Sequence, residues 1–134
     1  MLLRTLTAVA VLVSAAVHLL LWFDGFRDID VIGPLFLLNA VAGVVIAGLV
    51  LVWRHWLPLL AAVGFGASTL GAFVLSTTVG FFGVREMWQG VEVLTAAVSE
   101  AVAVVAGLAA LVAERRRSRL ELEHRAPGRR ADLH

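Results

Sequence analysis

Residues 31–53 read VIGPLFLLNAVAGVVIAGLVLVW, a run without one charged side chain. A helix rises 1.5 Å per residue, so about 20 apolar residues cross the ~30 Å hydrocarbon core of a bilayer. This run is long enough, and it decides the fold. Three more of the kind flank it, at 5–23, 57–82 and 91–113. Across all 134 residues the chain is 60% hydrophobic and 16% charged. Soluble domains hold roughly 45–50% apolar and about 25% charged residues, so a water-soluble globule is excluded. The runs are continuous, whereas the strands of a membrane β-barrel alternate apolar and polar residues. Lipid-exposed backbone must pair within its own segment, which leaves helices. The expected fold is all-α: an integral membrane four-helix bundle spanning residues 1–113, left-handed, with a basic tail over 114–134.

The links at 24–30, 54–56 and 83–90 are short, so consecutive helices are expected to be antiparallel neighbours. All 11 basic residues are Arg, and their placement orients the bundle. Arg4, Arg54 and the tail residues Arg115, Arg116, Arg117, Arg119, Arg125, Arg129 and Arg130 fall on one side. Only Arg27 and Arg85 fall on the other, beside Asp24, Asp28, Asp30 and Glu86. The positive-inside rule then puts both termini in the cytoplasm. Trp22, Trp53, Trp56 and Trp88 stand at span ends, where an interfacial aromatic belt is expected. Together with Arg54, Arg115, Arg116 and Arg117 they are candidate lipid-surface residues. The Arg-only, Ala/Val/Leu/Gly-rich composition is that expected of a GC-rich bacterial gene, and so of a bacterial cytoplasmic membrane.

Residues 1–16 also carry a signal-peptide pattern, with Arg4, an apolar stretch and a small-residue site at Val13-Ser14-Ala15. The apolar run continues to Phe23, which favours a retained span. Beyond Glu114, Arg117 and Glu121 at i,i+4 spacing extend the fourth helix until Pro127-Gly128, after which disorder is expected. An internal echo suggests two hairpins. Gly25-Phe26-Arg27-Asp28 is answered by Gly83-Val84-Arg85-Glu86, and Asn39-Ala40-Val41-Ala42 by Glu100-Ala101-Val102-Ala103.

Polar side chains inside spans are costly, near 2.5–3.5 kcal/mol for an acid at mid-span, so each is a functional candidate. Those facing the outer half are His18 in helix 1, Asn39 in helix 2, Ser76, Thr77 and Thr78 in helix 3, and Glu100 in helix 4. Asn39 and Glu100 are expected about 12–14 Å below the outer end. Ser14 shares a face with His18, while Ser68 and Thr69 fall in the inner half. Small-residue stripes, Asn39/Gly43/Ala47 and Gly64/Ser68/Gly71, mark the faces expected to pack inward. Four helices could thus aim His18, Asn39, Ser76 or Thr77, and Glu100 at one cluster. The competing account of the same residues is interhelical hydrogen bonding.

With no Cys, disulfides and thiolate metal sites are excluded. No second His matches the depth of His18, because His55, His124 and His134 fall in the inner turn and the tail. Bis-His haem and zinc are therefore not expected, and no cofactor is predicted. The absence of a nucleophile elbow or phosphate loop leans against an enzyme. The expected partners are the bilayer and a homo-oligomer or larger membrane complex, and no nucleic acid. The leading expectation is a module that binds or transports a small amphipathic ligand, ion or proton. The alternatives are an accessory or scaffold subunit and, third, lipid or quinone chemistry on a His18/Glu100 acid–base pair.

Overall fold

A computed structural model describes residues 1–80 and 91–131. It is all-helical: α1 (Leu2–Phe23), a short 3-10 turn (Phe26–Asp28), α2 (Ile32–Val52), α3 (Trp56–Thr78) and α4 (Val91–Ala131). All four α-helices are long and apolar enough to cross a membrane. Gly83, Val84, Arg85, Glu86 and Trp88, with their part in the repeat and the aromatic belt, lie outside the described residues, as does His134.

Local chemistry sets the helix ends. Pro34 and Pro58 stand in the first turns of α2 and α3, where a missing N–H breaks no helical bond. His55 caps α3, its Nδ1 accepting the Leu57 N–H at 3.2 Å. Gly25 follows the end of α1 with φ of 123°, a conformation costly for residues with a Cβ. The loop then folds tightly onto the first turn of α2, where a Cβ on Gly33 would lie 2.5 Å from the Arg27 carbonyl oxygen.

Helix α1 packs extensively on α2 and α4, and α3 on α4, while the neighbours α2 and α3 pack against each other far less. A two-hairpin repeat would make the α1–α4 and α2–α3 pairings equivalent, and they differ. The core is built of small residues, including Ala8, Val11, Ala62 and Ala103, each fully buried. Large apolar side chains such as Leu38, Val44, Val98 and Val105 are instead exposed. In water that surface would be an aggregation liability, and in hydrocarbon it is the lipid-facing side.

Three glycine contacts carry the helix seams, one of them Gly107 of α4, where a Cβ would approach Val63 of α3 to 2.7 Å. A Cβ on Gly43 would approach Ala15 Cβ to 2.7 Å, and one on Gly66 would approach the Glu100 carbonyl oxygen to 2.9 Å. The Asn39/Gly43/Ala47 stripe faces inward as expected at Gly43 and Ala47, both buried. The Gly64/Ser68/Gly71 stripe does not: all three are exposed, and Gly64 and Gly71 face open space. The seam runs through Gly66, about 200° around the helix from Gly64. Small residues occupy both faces of α3, so size alone does not select the packed one.

At the other end from His18, Arg4 is buried and joins every helix. Its guanidinium donates to the carbonyls of Val50 at 3.0 Å, Trp53 at 3.2 Å and His55 at 2.8 Å. It also forms a two-pronged ion pair with Glu114, with Nη2 3.0 Å from Oε2. Val50 stands in the last turn of α2, where carbonyls find no helical N–H, so Arg4 satisfies an acceptor the helix itself cannot, and it shares the Trp53 carbonyl with the His55 N–H. Glu114, the first residue of the expected tail, thus belongs to the bundle. Beyond it α4 continues to Ala131 without a break at Pro127-Gly128, where the sequence suggests a stop. The strong helix formers of 115–125 propagate the helix to that point, and each added turn outweighs part of the ~3 kcal/mol proline cost.

Candidate functional site

Ser14 and His18 stand one turn apart on α1. His18 Nδ1–H donates to the Ser14 carbonyl at 2.8 Å. That bond assigns the ring proton to Nδ1 and leaves Nε2 as the nitrogen facing α4, 3.9 Å from Glu100 Oε1. The Ser14 hydroxyl donates to the same carboxyl oxygen at 3.2 Å. Glu100 is only 1% exposed, and its second oxygen, Oε2, has no hydrogen-bond partner among the described residues. The His18–Glu100 separation exceeds a hydrogen bond but not the reach of a small shift or one bridging molecule. Either of the pair's atoms can hold the shared proton, as carboxylic acid with imidazole or as carboxylate with imidazolium, with no change in net charge.

Asn39 forms the second polar point. Its Nδ2 donates to Thr69 Oγ1 at 3.0 Å, and the Thr69 hydroxyl donates in turn to the Phe65 carbonyl at 2.7 Å. Because the Thr69 proton is spent there, its oxygen can only accept. The amide nitrogen of Asn39 must therefore face it, which leaves Oδ1 buried without a partner among the described residues.

Both points open on one cavity of about 390 Å³. Helices α2 and α3 form its walls, and His18 of α1 and Glu100 of α4 close its back. Small-molecule sites span roughly 300–1,000 Å³, so the cavity suits a compact ligand. Leu35, Leu38 and Ser68 line it and are themselves exposed, so it opens sideways between α2 and α3. Toward the loop, His18 meets the edge of Phe36 at 4.9 Å, and Phe26 stacks on Phe36 at 5.0 Å. The loop conformation thereby holds an aromatic roof over the site.

The structure brings His18, Asn39, Ser76 and Glu100 to this cavity. Thr77 is not among its lining residues, and its hydroxyl donates to the Val74 carbonyl at 2.9 Å on its own helix. Two residues outside the expected cluster join it. Ser14 binds Glu100, and its i,i+4 spacing from His18 is the signal in the sequence. Thr69, assigned there to the inner half, pairs with Asn39, and no local pattern announces that. Among the surface candidates, Trp53, Arg54 and Trp56 are exposed, and the two indoles flank His55 at 5.0 and 5.5 Å. Trp22 is half-buried against Phe23, and Arg115, Arg116 and Arg117 are exposed on α4. Among the described residues, no third His, Asp or Glu joins His18 and Glu100 to make a metal-binding group.

No family model, curated protein or solved structure matches the chain.

Proposed function

We propose that this small multi-pass membrane protein is a binding or transport module for a small amphipathic molecule, which reaches the cavity from the bilayer between α2 and α3. The observation that carries this reading is Glu100, a carboxyl placed 1% exposed at the back of a 390 Å³ apolar cavity with one oxygen unpartnered among the described residues. A membrane acid costs too much to be kept there without a use. The bundle is read as antiparallel, with Arg4, Arg54 and the α4 extension on the cytoplasmic side of a bacterial membrane and the cavity in the outer half. It acts as a single chain or a homo-oligomer. The Ser14–Glu100 and Asn39–Thr69 bonds join helix pairs and favour a second reading, an accessory or scaffold subunit in which these groups hold helices together.

Photolabelling separates the two. The full chain in phosphatidylcholine vesicles is irradiated with a diazirine-bearing decanol, and labelled peptides are mapped. The binding reading expects label at the cavity residues Phe36 and Phe73, competed by excess decanol and lost in Ala72→Phe, which fills the space. Label spread evenly over lipid-facing leucines and indifferent to Ala72→Phe supports the scaffold instead.

A further inference from the structure

Two buried polar atoms of the cavity have no partner among the described residues, and both are acceptors. Donors around the cavity are engaged within the protein: Ser14 Oγ to Glu100, Ser68 Oγ to the Gly64 carbonyl, Thr69 Oγ1 to the Phe65 carbonyl, and one Asn39 N–H to Thr69. His18 spends its Nδ1–H on the Ser14 carbonyl. Glu100 Oε2 and Asn39 Oδ1 remain, two buried acceptors without partners among the described residues. Both residues line the same cavity, and among the described residues no Arg lines it with them. The buried guanidinium of Arg4 is held at the far end of α1 by Glu114 and three carbonyls.

We propose that the cavity is selective for lipophilic amines, whose ammonium head donates to Glu100 Oε2 and Asn39 Oδ1 while the apolar body lies against Phe65 and Phe73 and extends toward the bilayer. An ammonium is all donor, with three N–H groups and no acceptor, and it complements these two open acceptors. A neutral amine that takes up the proton shared by His18 and Glu100 becomes this ammonium, and the resulting ammonium–carboxylate pair is neutral in a region where a lone charge is expensive. A fatty acid or phosphate head would set its acceptors against these two oxygens. An alcohol has one donor and satisfies one of the two oxygens.

This inference rests on the cavity being a binding site, and the test keeps the two apart. The full-length chain in phosphatidylcholine vesicles is photolabelled with the diazirine-bearing decanol, and decylamine, decanol and decanoate are compared as competitors at equal membrane concentration. Decylamine should compete at least about tenfold better than decanol, the worth of one further charge-assisted bond, and decanoate least. In Glu100→Gln the amide oxygen can still accept from Ser14 while its NH2 puts a donor where the ammonium head would sit, so the amine preference should vanish and decanol competition persist. If that variant does not fold, Asn39→Ala should lower the amine preference several-fold, removing one acceptor without touching the carboxyl. Cavity label displaced equally by decylamine and decanoate overturns amine selectivity and leaves the binding site standing. Absence of cavity label overturns both.

Discussion

Arg4 illustrates how one side chain can close a bundle. Its guanidinium is 5% exposed, and its five N–H groups are arranged as a rigid fork that meets three carbonyls and a carboxylate at once. Arg4→Gln should lower stability by roughly 2–3 kcal/mol, below the usual loss for a broken buried pair because Glu114 is partly exposed. Arg4→Lys should recover less than half, since a single ammonium cannot reach every acceptor. Thermal unfolding in micelles measures both, and a Gln variant as stable as the parent would refute the role. The sequence marks Arg4 as a topology signal, and its place at the end of α1 suits that. Its partners lie 46 to 110 positions away in the chain, so nothing local names them. Glu100 differs. An acid in an apolar run is conspicuous without a structure, and so is His18.

At the scale of helices, glycine placement decides how closely α3 and α4 approach. The Gly66 site lies against the backbone of Glu100 and the Val104 side chain, while Gly64 faces open space. Gly66→Ala should therefore destabilise by about 1–3 kcal/mol through forced separation of the helices. Gly64→Ala should be neutral or slightly stabilising, because alanine is the better helix former by about 1 kcal/mol. Chemical unfolding of the two variants side by side tests this, and equal effects would reject Gly66 as the seam. Moving α3 also moves Thr69 and Ser76, so Gly66→Ala should weaken photolabelling of the cavity where Gly64→Ala leaves it intact. The loop before α2 carries its own strain. Val31, a β-branched residue, sits at φ of 67°, a conformation costing on the order of 1–3 kcal/mol, and it persists where the loop packs on α2.

For the whole molecule, the asymmetry of packing matters most. Three helix pairs close tightly and the fourth, α2 with α3, does not, so the cavity opens on the side that hydrocarbon would cover. Orientation is tested on a chain that holds no native Cys. Asp28→Cys in the loop should react with a membrane-impermeant maleimide in intact cells, and Arg54→Cys only after lysis. The reverse pattern would invert the topology. Helix number and membrane residence follow from the sequence by itself, because a bilayer demands long apolar runs and internally paired backbone. The costly polar residues are visible there too. Which way each helix turns was decided only by tertiary structure. In water the buried face is the apolar one, but lipid is as apolar as the protein core, so hydropathy does not distinguish them. Ser76 reaches the cavity and Thr77 does not, Gly66 makes the seam and Gly64 faces outward, and Thr69 finds Asn39, all through helix rotation set by close packing of small residues.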